Sequence, residues 1–243
     1  MLSPRLPALA AVVAALGFAT VAPAVAADAD AHGAGRSVSC SDGFYQKDPR
    51  LGPRDLPTEG PVGNELAGYH RTGYLTTTQF LDDYYSAATG SYIYPPSSGF
   101  ALDTAGKPIE FPMQLVPGTA IDRFGSEAGG FLAPEGSPYA QRALPPQNLD
   151  NTASASCNYH DYRVLRAFTV IAGPVAPWFA QSGGGMQFQL DYKQVPDAPN
   201  PLTVLWLVQH GYLQPMDGTS QYESDPGHQA GDYQVDGDRA TQE

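Results

Sequence analysis

Gly118-Thr-Ala-Ile-Asp-Arg-Phe-Gly-Ser-Glu-Ala-Gly-Gly-Phe-Leu-Ala-Pro134, followed after a short break by Tyr139-Ala-Gln-Arg-Ala-Leu-Pro-Pro146, is the stretch on which the fold turns. Ala120 to Asp122 predicts a short strand that delivers Arg123 into a loop of Gly125, Gly129 and Gly130, with Phe131 as its one aromatic after Phe124. A guanidinium presents five donors in a rigid fork, and glycines let backbone come close to a ligand. Phe131 adds a flat apolar face eight positions beyond the arginine. Such a loop suits a ligand carrying both phosphate and a ring. The same residues also fit a surface arginine paired to Asp122 or Glu127, with the glycines serving only turns.

Working outward, Val116 to Asp122 and Gly130 to Ala133 read as strands bounded by turn residues. Ser137-Pro138 predicts a short helix through Ala143, with serine as cap and proline at its first position. Tyr94-Pro95-Pro96 is extended and Gly99 turns it, presenting Phe100. Tyr159 to Val170 alternates as one strand, and Met186 to Tyr192 as another. Gly173-Pro174-Val175-Ala176-Pro177-Trp178-Phe179 is a rigid aromatic loop between them. Pro201, then Leu202 to Gln209, then Gly211, predicts a helix, and so does Thr76 to Ala88 with Thr76 as cap. The sum is an α+β fold: a small, twisted, mostly antiparallel sheet with short helices and an irregular or helical amino-terminal lobe.

With 26 Gly and 23 Pro among 243 residues, the chain is cut into short pieces, while fourteen Tyr and ten Phe supply surface to bury. Residues 1–26 read as an export signal: Arg5 begins it, an apolar run follows, and Ala24-Val25-Ala26 is a small-residue cleavage site. Residues 27–37 form a flexible leader, 38–92 a wrapping segment or small lobe, 93–215 the main domain and 216–243 an acidic tail. Secretion predicts no membrane contact after cleavage. It also makes Cys40 and Cys157, the only cysteines, a disulfide pair, with free or intermolecular thiols as the alternative. The net charge of −12 excludes a nucleic-acid binder, which needs a basic face. An anionic ligand would need a local positive pocket, and Arg123 or Arg142 could make one.

No zinc spacing, nucleophile elbow, phosphate-binding Gly-x-x-x-x-Gly-Lys loop or strand-linked Gly-x-Gly-x-x-Gly is present. Five segments nevertheless stand in a telling order: Tyr94-Pro95-Pro96…Gly99-Phe100, Asp122-Arg123-Phe124-Gly125…Gly129…Phe131, Arg142-Ala143-Leu144-Pro145-Pro146, Gly173 to Phe179, and Gly183-Gly184-Gly185-Met186-Gln187-Phe188. From about Tyr92 to Leu213 the chain resembles the tuberculosis necrotizing toxin (TNT) domain family of NAD glycohydrolases, which includes secreted fungal surface enzymes. The resemblance implies cleavage of the nicotinamide–ribose bond of NAD+, and of NADP+, with no cofactor required and no metal in the site. It implies functional roles for Arg123 and Gln187, with His160 as the nearest match to a third catalytic residue. Phe131 would stack on nicotinamide, and Phe124, Gly125, Trp178 and Arg142 would line the substrate site, Arg142 being an ion-pair candidate first. A homodimer and an immunity protein are the partners it raises. Asp217, Glu223 and Asp225 are a candidate calcium site against a solvated acidic tail.

These residue types fit the reaction. A typical O-glycosidase needs one carboxyl group to protonate its leaving group and a second opposite it. Nicotinamide instead departs from a pyridinium as a neutral molecule, so no general acid is required. A phosphate clamp, a ring pocket and a polar group near the developing ribosyl cation suffice. Two other readings stand beside this one: ADP-ribosyl transfer to a protein, and a catalytically silent secreted module. Transfer usually places a glutamate on a late loop, and no Glu stands near Gln187.

Overall fold

The computed structural model describes residues 38–216. The expected signal, leader and acidic tail, with the calcium candidates, lie outside the described residues. In chain order come α1 (Gly60–Glu65), α2 (Thr77–Tyr84), β1 (Tyr85–Ser86), β2 (Ser91–Tyr92), β3 (Phe111–Leu115), β4 (Ala120–Phe124) and β5 (Phe131–Pro134). They are followed by α3 (Tyr139–Arg142), β6 (Tyr159–Val164), β7 (Phe168–Pro174), β8 (Met186–Gln189), α4 (Val204–Gln209) and β9 (Leu213–Pro215). β1 and β2 form a small ribbon. The other strands form one antiparallel sheet in the order β3-β7-β8-β5-β4-β6-β9.

That order forces the sheet to curl. β6 and β7 are four strand positions apart, which spans roughly 19 Å in a flat sheet. The chain joins Val164 to Phe168 in four Cα steps, a reach of at most about 14 Å. The strands between must therefore bow toward each other. The inner face carries Ile121, Leu132, Tyr162, Val164, Phe168, Val170, Ala172 and Phe188, and Val204 and Leu207 of α4 close it. On the outer face Phe124 and Tyr159 pack with Tyr139 of α3, Val62, Leu66 and the Cys40–Cys157 disulfide. A third cluster unites Leu51, Phe80 and Tyr92 with Phe179. Residues 38–92 thus share one core with the sheet and another with the loop after β7 that carries Phe179.

Several elements differ from their sequence expectation. The strand begins at Ala120, not Val116, because Pro117 has no N–H for a ladder and Thr119 N bonds back to Val116 O. It also runs on to Phe124, so Arg123 lies in the strand and not in the loop. Tyr159 to Val170 is two strands: after Val164 the chain turns, and Leu165 N donates to Tyr212 O at 2.8 Å. β7 carries on through Gly173 and Pro174, and β8 stops at Gln189, short of Tyr192. Ser137 does not cap α3: Pro138 holds the cap position, and the serine hydroxyl donates to Pro134 O. α4 starts two residues later than Leu202 and is capped by Thr203, whose hydroxyl accepts from Trp206 N. α2 ends at Tyr84, where Tyr85 is already extended and pairs with Tyr92. The edge strand β3 was not expected at all. Among the described residues no helix is long and apolar enough to cross a membrane.

Candidate active site

Arg123, His160 and Phe131 gather at the loop end of the β4–β5 hairpin. Arg123 and His160 are direct partners across β4 and β6, so both Cβ atoms leave the sheet on the inner face. His160 is buried and its ring lies parallel to that of Tyr162, centroids 6.4 Å apart. The Tyr162 hydroxyl donates to Glu127 Oε1 at 2.7 Å, which folds the hairpin loop over this end. Leu205 N and Val204 N, at the start of α4, donate to Glu127 O and Gly129 O.

The Arg123 head sits where β4 and β5 splay. Its Nε donates to Gly125 O at 3.0 Å and its Nη1 to Phe131 O at 2.5 Å. The glycines of this loop serve that guanidinium. A Cβ on Gly129 would stand 2.3 Å from Arg123 Nη2, and one on Gly125 3.1 Å from it. Gly125 also takes φ of +123°, which a side chain would oppose. The expectation that Gly125, Gly129 and Gly130 admit a ligand is corrected accordingly. Gly130 faces Leu202 O, 3.2 Å from where its Cβ would be.

Gln187 stands elsewhere. On β8 it pairs with Gly173, and Gln189 pairs with Phe131. Followed through β5, the register puts Phe131, Gln187 and Gln189 on the outer face, opposite Arg123. Arg123 and Gln187 therefore do not meet side chain to side chain. Phe131 is the link, its ring exposed on the outer face and its carbonyl held by the arginine. The Gln187 amide nitrogen donates to Ser98 O at 3.0 Å, and Gln189 Nε2 to Ser98 Oγ at 3.2 Å.

Two expected substrate contacts, Arg142 and Phe124, prove internal, and a third, Trp178, is half-buried. Arg142 is buried, with Nη1 2.5 Å from Asp122 Oδ1 and Nη2 2.7 Å from Glu65 Oε2. It can reach no phosphate from there. Asp122 lies on the outer side and also accepts from Gly136 N and the Tyr159 hydroxyl, so it is not the partner of Arg123. Phe124 is enclosed by Tyr139 and Tyr159, with Arg142 5.1 Å above its ring. Trp178 packs against Tyr84 and donates its indole N–H to Ile93 O at 2.7 Å. Burial raises the Glu65 carboxyl to about 8; nearby Asp122 adds to this and Arg142 opposes it. Sequence reasoning missed Ser98 and Gln189. The Gln-Phe-Gln alternation of residues 187–189 was the available signal, since i and i+2 share a face. Among the described residues no group of three or more His, Cys, Asp or Glu is placed to hold a metal ion.

A curled antiparallel sheet carrying an arginine, an aromatic ring and a neutral amide at one end is the frame on which known relatives can be set. The model of the tuberculosis necrotizing toxin family matches residues 114–216. Across 186 residues the chain is 46% identical to the conidial surface nicotinamide adenine dinucleotide glycohydrolase of Aspergillus fumigatus, covering 75% of each chain. The chain belongs to the TNT family. Among solved structures it is similar to tuberculosis necrotizing toxin complexed with its immunity factor, at 19% identity and a TM-score of 0.43, covering 70% of this chain and 79% of that one. It is also similar to Rhs1-CT in complex with its cognate immunity protein, at 18% identity and a TM-score of 0.29, covering 51% and 84%.

Proposed function

We infer that this protein is an NAD+ glycohydrolase that releases nicotinamide and ADP-ribose. The observation that carries the reading is 46% identity over 186 residues to a fungal surface enzyme of that name. Water supplies oxygen to the ribose carbon, the carbon–nitrogen bond breaks, nicotinamide leaves neutral and one proton goes to solvent. The chain's task is to hold the dinucleotide and to stabilise a cationic sugar. In this proposal Phe131 takes the nicotinamide ring on the outer face, and Gln187, on the same face, directs water or a ribose hydroxyl. Arg123 places positive charge at the rim for the pyrophosphate and fixes Phe131 through its carbonyl. His160 acts beside Arg123 on the inner face.

NADP+ is a second proposed substrate, since the bond that breaks is the same. The fungal relative's surface location supports extracellular action here. A homodimer is also proposed, burying the rim of β3 where Phe111 and Met113 are exposed; sedimentation tests it. An immunity protein is a further proposed partner, and pull-down with the secreted chain tests for it.

Etheno-NAD+ tests the activity: the secreted protein should release fluorescent etheno-ADP-ribose. Gln187→Ala and Arg123→Ala should each lower turnover about 100-fold, roughly 3 kcal/mol, as loss of one preorganised polar contact does elsewhere. A wild-type protein with no hydrolysis would sink the reading. Labelled NAD+ with added protein acceptor separates hydrolysis from transfer, with free ADP-ribose as the expected product.

A further inference from the structure

We propose that Ser98 and Gln189 are positioning residues for this reaction, holding the Gln187 amide so that its carbonyl oxygen is the end turned to substrate. The proposal rests on the glycohydrolase reading. A backbone carbonyl can only accept, so the Gln187 atom 3.0 Å from Ser98 O is the amide nitrogen. The other end of that planar group is then an acceptor. Gln189 reaches the same serine from the neighbouring position on the face, its Nε2 3.2 Å from Ser98 Oγ.

The backbone at this serine is unusual. Ser97, Ser98 and Gly99 have φ of 54°, 52° and 78°, successive left-handed residues of which two are not glycine. Such a backbone is strained for a serine and persists only where its surroundings over-determine it. Here they do. Ala176 N donates to Gly99 O and Ala101 N to Pro174 O, both at 2.8 Å, and Phe100 is buried against Gly173. The turn is bolted to the end of β7 and is a fixed anchor for the two glutamines. A Cβ on Gly99 would lie 3.7 Å from Gln187 Oε1, so the turn packs along the amide as well as bonding to it.

The chemical consequence is that Gln187 offers substrate an acceptor. An oxygen of partial negative charge suits a hydroxyl or water that must be aimed at the sugar, and it favours a carbon gaining positive charge. A donor in that place would oppose both.

The test measures kcat and KM for etheno-NAD+ with wild type, Gln189→Met, Gln189→Glu and Ser98→Gly, alongside thermal melting. Gln189→Met keeps side-chain length without the bond and should lower kcat about tenfold, with KM and Tm little changed, because misorientation acts on the chemical step. Gln189→Glu accepts from the Ser98 hydroxyl, restores the tie and keeps kcat, while its charge beside an anionic substrate raises KM. Ser98→Gly relieves the left-handed strain, so it should melt no lower than wild type and still lose kcat. Wild-type kcat in the methionine and glycine variants overturns the proposal. So does a fall in kcat that tracks Tm, or a glutamate variant no better than methionine. Inactive wild type is a separate outcome: it removes the enzyme reading, and the positioning role goes with it.

Discussion

A methyl group on Gly129 would occupy space held by the Arg123 head, 2.3 Å from Nη2. Gly129→Ala should therefore behave as a mild form of Arg123→Ala, lowering etheno-NAD+ turnover about tenfold or more by displacement without removing the charge. Gly136→Ala is a control with open space around it, although its φ of +78° costs some stability. Residue type and motif order single out Arg123, Phe131 and Gln187 in the sequence. They do not say which face each occupies. That depends on the pairing of β4 with β6 and of β5 with β8, and one step of register reverses every assignment. The same blindness let Phe124 and Arg142 pass as substrate contacts when burial removes both from reach.

At the scale of elements, short-range chemistry was legible and long-range pairing was not. Thr76 caps α2 in a full capping box with Gln79. Thr76→Ala should cost about 1 kcal/mol, read as a small drop in melting temperature at unchanged kcat. β6 and β7 merged in the sequence because Tyr162, Val164, Phe168 and Val170 keep one parity straight through the turn at Leu165 and Arg166, which has neither Gly nor Pro. β3 went unread because Pro112 argues against a strand, yet β3 is an edge, where a missing N–H leaves no neighbour unpaired. The Cys40–Cys157 disulfide joins residues 117 apart and ties the amino-terminal segment to the short turn that leads into β6. Replacing both cysteines by serine should cost roughly 4–5 kcal/mol in the chain-entropy account, measured by urea denaturation of oxidised wild type against the variant.

For the whole molecule, the decisive link is the buried set of Glu65, Asp122 and Arg142, one member from each of α1, β4 and α3. Two carboxyls share one guanidinium, and Glu65 is the one raised by burial, from 4.5 to about 8. The folded state then holds a proton that the unfolded chain releases above about pH 4.5. Its stabilising contribution is full below that pH and is lost as pH rises through about 8. Urea midpoints should accordingly fall between mildly acidic and mildly alkaline buffer, and Glu65→Gln should flatten that fall. A midpoint that rises with pH over this range in wild type and not in Glu65→Gln would contradict the assignment. Arg142→Met leaves both carboxyls without their cation and should cost about 3–5 kcal/mol.

The family match begins at residue 114, inside β3, and that boundary cuts across each of these links. A gene trimmed to 114–216 would encode Cys157 without Cys40, Arg142 without Glu65, and an outer face stripped of Val62 and Leu66. The span of the family model is thus smaller than the set of residues these links join. Soluble yield should fall sharply for 114–216 and recover when expression starts at residue 38.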